Sequence, residues 1–162
     1  LPQWQMLGVD AGPNMLELAR DAIQTAQLDT RVDVLQAHLP SDLDQLQKRM
    51  PFDAIVSNSL LHHLEDPMTL WKTISELSSP QTKVVVMDLF RPDSIAEAKQ
   101  LVDAHTEGAD PVLKEDFYNS LLAAWRVNEI KEQLETMNWG HWEISQPSNR
   151  HWVVTGDFSQ NH

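Results

Sequence analysis

Residues 57–66 read Ser-Asn-Ser-Leu-Leu-His-His-Leu-Glu-Asp and follow directly on the apolar run Phe52 to Val56. Ser57, Asn58, Ser59, His62 and His63 thus arrive where a buried strand ends. A tight turn does not need so many polar side chains, whereas a ligand site does. An imidazole titrates near neutrality and can accept a proton; hydroxyl and carboxamide groups orient a polar ligand. His62, His63 and Asp66 also raise metal binding. Adjacent histidines on a helix point in different directions, however, and no third ligand follows at suitable spacing, so no metal is expected. The spacing predicts that one histidine packs under the sheet edge while the other faces a pocket or solvent; a pocket-facing ring could act as a general base, and the structural reading is the one favoured. It singles out no catalytic residue. Asp10 closes a second apolar run, Gln5 to Asp10, and is read either as the former of the turn at Ala11-Gly12-Pro13 or as a ligand contact.

The elements that position these groups alternate. Gln5–Asp10 is a short strand, and Pro13 opens a helix to Gln27 with Met15, Ala19, Ala22, Ile23 and Ala26 on its inner face. Arg31–Ala37 is a strand, Ser41–Met50 is helical, and Phe52–Ser57 is a strand whose continuous Ala54-Ile55-Val56 predicts cover on both faces. A helix over Pro67–Ser78 and the strong strand Lys83–Leu89 follow. Ser94–His105 and Lys114–Trp125 form two further helices, Asn128 caps a third, and Trp142–Ser145 with His151–Thr155 make an antiparallel hairpin. Strands alternating with helices predict an α/β three-layer sandwich with a mostly parallel sheet, and ligands at the strands' carboxyl ends.

Composition narrows the function. At 162 residues the chain is expected to form a single domain, 1–162. Hydrophobic residues at 41% and charged residues at 22% argue against disorder. No apolar run approaches the ~20 residues of a membrane helix, and the first residues lack signal-peptide character, which makes the cytoplasm the default location. Twelve basic against 24 acidic residues give a formal charge of −12, a field that disfavours nucleic acid as a partner. The absence of cysteine removes disulfides, thiolate zinc sites and thiol catalysis. The tryptophans fit core positions better than stacking platforms, Trp71 and Trp125 being in phase with the core.

Four segments in order, "LGVDAGPNMLELAR", "VDVLQAHLPSDL", "FDAIVSNSLLHHLEDP" and "KVVVMDLFRPDS", resemble the class I S-adenosylmethionine-dependent methyltransferases, Rossmann-like enzymes. The resemblance runs over essentially the whole chain. It implies S-adenosylmethionine as cofactor, with Asp10 accepting from both ribose hydroxyls, Ala11 beside it and Met15 packing near the adenine. Ala37-His38 stands where the family often has Gly-Asp, so His38 and Leu39 are the implied adenine-side contacts. Asn58 and Ser59 would line the methionine end. The stretch Ser94–Arg126 would form a helical insert or substrate cover, made apolar by Phe117, Tyr118, Leu121 and Trp125, which suits a small-molecule acceptor.

The family's first strand and glycine-rich loop have no counterpart here. The five glycines (Gly8, Gly12, Gly108, Gly140, Gly156) form no Gly-x-Gly. The expectation is an N-terminally shortened methyltransferase domain with impaired cofactor binding and a possible homodimer through exposed inner strands. The alternative is a non-catalytic Rossmann-like remnant or association module.

Overall fold

The computed structural model describes residues 4–159. Backbone contacts divide the chain into two compact units, Leu1–Met50 and Pro51–His162.

In the first unit, β1 (Met6–Asp10) and β2 (Val32–Gln36) pair in parallel, with Gly8 opposite Val34 and Asp10 opposite Gln36. Parallel neighbours require a crossover, supplied by α1 (Pro13–Thr25), which starts with Pro13 in its first turn after Gly12. The inner face of α1 carries Leu16, Ala19 and Ile23. Ala19 and Ile23 face inward as expected, whereas Met15, Ala22 and Ala26 are exposed and Leu16 takes the buried place in the first turn. The short α2 (Leu43–Gln47) is anchored by Leu46, 3% exposed.

In the second unit, four strands run in the order β3-β4-β6-β5. β3 (Ala54–Asn58) and β4 (Lys83–Leu89) are parallel and joined by α3 (Met68–Leu77). After β4 come α4 (Ile95–His105), α5 (Pro111–Ala123) and α6 (Val127–Thr136). The antiparallel pair β5 (Glu143–Ser148) and β6 (His151–Asp157) completes the sheet, β6 lying against β4. The terminal hairpin is as expected, but the pairing is mixed rather than mostly parallel, two ladders parallel and two antiparallel, and among the described residues β1 bonds only to β2 and β3 only to β4.

One face of the larger sheet is buried. Val84 and Val86 of β4 and Trp152 and Val154 of β6 pack with Trp71 and Ile74 of α3 and Ile130 and Leu134 of α6. Trp71 Nε1 donates to Gln133 Oε1 at 2.8 Å, so the indole N–H is satisfied within that core. Trp139 stacks on Trp142 with ring centres 4.4 Å apart. The other face is partly bare. Ile55 turns inward, but Val56 is 71% exposed; cover on both faces of β3, expected from its unbroken apolar run, is not what the structure shows. Composition alone cannot separate a strand buried twice from one whose second apolar row is left open.

A second cluster, Leu89, Leu101, Val102, Leu121 and Ala124, holds α4 against α5, with Phe117 and Tyr118 packed on it. Those two aromatic residues and Leu121, expected to face a ligand, therefore pack within the helical hairpin. The hairpin's neck is closed. Phe90 and Trp125 form an isolated bridge, Arg126 Nη2 donates to the Pro92 carbonyl at 3.4 Å, and Arg91 pairs with Glu129. The cap of α6 is Arg126 rather than Asn128: Glu129 Oε2 accepts from the Arg126 N–H at 2.7 Å.

Candidate functional site

In the first unit, Asp10 ends β1 and is exposed. Its Oδ1 accepts from the Gly12 N–H at 2.6 Å, which is the turn-forming role. Its Oδ2 has no partner among the described residues, so one carboxylate oxygen stays open to a ligand hydroxyl. Ala11 follows, its carbonyl accepting from Gln36 Nε2 at 3.1 Å. Ala37 N–H continues the ladder to the Asp10 carbonyl at 3.1 Å, which brings His38 to the same end as Asp10. The His38 backbone N–H donates to Asp42 Oδ2 at 2.8 Å, and its Nδ1 lies 3.6 Å from that oxygen. Accepting that backbone bond holds the Asp42 carboxyl below the usual carboxylate range. Leu39 is half-buried, and Met15, 56% exposed, presents apolar surface in the first turn of α1.

The second unit brings together residues that the sequence suggested only in part. Asn58 ends β3 exposed. Ser59 has φ 55°, a left-handed conformation uncommon for a residue other than glycine, and its N–H donates to the Met87 carbonyl at 3.0 Å. The chain then enters a single-turn 3-10 helix, Leu61–His63, anchored by Leu61 at 0% exposure.

Asp88, 1% exposed in the apolar strand β4, meets that turn. Its Oδ2 accepts from the Leu61 N–H at 2.6 Å, and its Oδ1 from the Leu89 N–H at 2.6 Å. Its third partner is His62, Nδ1 to Oδ1 2.5 Å, with only 4% of the His62 side chain exposed. A carboxylate only accepts, so Nδ1 donates, and in the neutral form of the ring the lone pair sits on Nε2. That Nε2 has no hydrogen-bond partner among the described residues. The arrangement can take a proton at Nε2 while the carboxylate stabilises the resulting imidazolium, the logic of an oriented base.

His63 is exposed, its ring centre 4.0 Å from that of His62. One histidine is thus packed and the other faces out, as expected, but the buried one holds the carboxylate. Burial first, and then the His62 charge, holds His63 below the ordinary histidine value of 6.5. The signal for the pair was legible: an acid inside Lys-Val-Val-Val-Met-Asp-Leu must find a partner when the strand is buried. Among the described residues no group of histidines and acids could hold a metal ion, and no helix is long and apolar enough to cross a membrane.

Three kinds of comparison bear on this arrangement. No curated protein matches the chain. Among solved structures, a SAM-dependent methyltransferase from Aquifex aeolicus aligns over 93% of this chain and 67% of its own, with 13% identity and a TM-score of 0.55. An O-methyltransferase family protein from Burkholderia thailandensis aligns over 99% of this chain but 46% of its own, with 17% identity and a TM-score of 0.64. The plantazolicin methyltransferase BpumL, solved with a monoazolic desmethylPZN analog and SAH, aligns over 96% of this chain and 68% of its own, at 12% identity and a TM-score of 0.61. The chain therefore spans about two thirds of some of these structures and under half of others. These likenesses show the Rossmann-like α/β fold. A family model for a methyltransferase domain matches residues 1–84, over half of the sequence, and the chain belongs to that family.

Proposed function

We propose that this domain transfers the methyl group of S-adenosylmethionine to a hydroxyl of a small molecule, with His62 as proton acceptor and Asp88 as the residue that orients it. The observation that carries this reading is the buried His62–Asp88 pair at the carboxyl end of β3 and β4. When bound, the cofactor supplies an activated methyl group, which leaves alignment and proton removal to the protein. Asp10 fits the nucleoside end, since Oδ2 is uncommitted and a carboxylate suits a cis-diol. Met15 offers the adenine an apolar surface, and Ala11, His38 and Leu39 border it. Asn58 and Ser59 supply polar groups for the methionine end. Proton loss from a weakly acidic hydroxyl needs a base, and the His62 Nε2 lone pair is held ready by Asp88.

No glycine-rich loop is found in these residues, and we propose that the chain alone binds the cofactor weakly. Isothermal titration of the chain and of an upstream-extended form with S-adenosylmethionine tests this. Turnover with hydroxyl-bearing acceptors then tests His62→Gln, expected to lower kcat about 100-fold or more, within the range for a positioned base. Undiminished turnover in that variant would remove His62 from the chemistry.

Among the described residues β1 and β3 each keep an edge without a strand partner, which favours a second reading in which those edges recruit a second copy of the chain. Light scattering would show a dimer; a monomer at all concentrations would dismiss it. The acidic surplus supports small-molecule substrates over nucleic acid.

A further inference from the structure

In a chain with twice as many acidic as basic residues, a guanidinium without a carboxylate partner needs an explanation. Within the second unit, Arg91 pairs with Glu129 and Arg126 with Asp93. Arg150 alone among that unit's arginines has no carboxylate partner among the described residues. It is nonetheless firmly placed. Its carbonyl accepts from the Phe90 N–H at 2.8 Å, and its N–H donates to Ser148 Oγ at 3.3 Å. Its Nη1 lies 3.1 Å from His105 Nδ1 and 2.8 Å from Nε2. Both contacts tie the guanidinium to the same imidazole. His105 thus braces the guanidinium without neutralising it.

The position is the functional edge. His151, next in sequence, pairs with Leu89 at the end of β4, beside the Asp88 that holds His62. The Asp88 charge acts on both His63 and His151. Burial, and next the Arg150 charge, holds His151 below the ordinary histidine value. Ser148 Oγ, 2.9 Å from His151 Nδ1, fixes that ring.

We propose that Arg150, braced by His105, recognises an anionic group, and that the methyl acceptor is a hydroxy compound carrying a carboxylate or phosphate. This rests on the reading of His62 as the base, and it adds the class of acceptor. Arginine's planar fork suits both oxyanions.

The test uses para-hydroxybenzoate, phenyl phosphate and the neutral para-hydroxybenzamide, titrated into the chain while the Arg150 side-chain and His105 ring resonances are followed by NMR. Saturable shifts are expected with one or both anions, with the amide on the order of tenfold or more weaker, as befits loss of a charge-assisted pair. The relative affinity of benzoate and phosphate distinguishes the two oxyanions. Arg150→Gln should erase the preference for anions, and Arg150→Lys should keep part of it. Equal binding of the amide, absence of saturable anion binding, or an unchanged preference in Arg150→Gln would each overturn the proposal and return Arg150 to a solvated turn residue. Titration of the upstream-extended form with S-adenosylmethionine separates the two readings: no cofactor binding there with the anion preference intact would sink methyl transfer and not the anion site.

Discussion

Replacing Asp88 by Asn removes one acceptor from a place where three donors converge. Leu61 N–H, Leu89 N–H and His62 Nδ1 reach the two oxygens at 2.6, 2.6 and 2.5 Å. Asparagine keeps one carbonyl oxygen and turns the other position into a donor. Whichever way the amide is set, its N–H groups confront at least one of these donors in a position only 1% exposed. A lost charge-assisted bond costs about 1.5–3 kcal/mol, and a buried donor left unsatisfied adds about 1–3 kcal/mol. The sum, about 2.5–6 kcal/mol, brackets the usual cost of about 3–5 kcal/mol for removing one member of a buried pair. Urea unfolding followed by tryptophan fluorescence reports on the right unit, because Trp71, Trp125, Trp139, Trp142 and Trp152 all belong to the second. With a slope of about 1–3 kcal/mol per molar urea, the midpoint should fall by about 1 M or more. A midpoint within about 0.3 M of the parent would show that the carboxylate does not anchor the turn at 61–63, and the orientation argument for His62 would fall with it.

The His63 ring should titrate below 6.5, held there first by burial and then by His62; NMR titration in which His62→Gln leaves the midpoint unmoved would contradict the second cause. Since the folded value is the lower one, the His63 contribution to stability is full above pH 6.5 and is lost as pH falls through the folded midpoint. Gly156→Ala would place a methyl 2.1 Å from the Trp142 ring, so about 1–3 kcal/mol of overpacking and an altered near-ultraviolet signal from the stacked tryptophans are expected; an unperturbed spectrum would count against that packing. In the upstream-extended form, Asp10→Ala should weaken S-adenosylmethionine binding by about 1.5–3 kcal/mol, whereas an unchanged Kd would leave Asp10 only its bond to Gly12.

Strand and helix positions were legible because their apolar periods are strong, and Lys83–Leu89 is a strand over the same residues in the structure. What failed was direction. Met15 and Leu16 are both apolar, and the pattern put the wrong one inward because only packing against the strands decides the phase. Val56 belongs to an unbroken apolar run, yet its exposure depends on what covers the sheet, which no local pattern records. The α6 cap fell two residues before Asn128, at Arg126, because Glu129 reaches back to the Arg126 N–H, a capping interaction carried by the third residue of the helix. Asp10, Asn58 and Ser59 stood out as polar groups at strand ends. His62 was noticed but its partner was not, because Asp88 lies 26 residues away in sequence and only the parallel pairing of β3 with β4 brings the two together.

The closed neck beneath α4 and α5 bears on how such a domain can diversify. The chain leaves the sheet at Phe90 and returns at Trp125, its bridge partner. Among the described residues, Leu89 is the sheet residue in the buried cluster that holds the two helices together. The segment is not insulated from the site, however: α5 also packs against the turn Leu61–His63, and His105 of α4 reaches Arg150. Under the proposed function, changes in residues 94–124 would therefore alter acceptor preference and the setting of the proton acceptor together. Exchanging the segment for that of a structural relative should displace the His62 ring resonances, and their staying in place would show that α5 does not brace the turn.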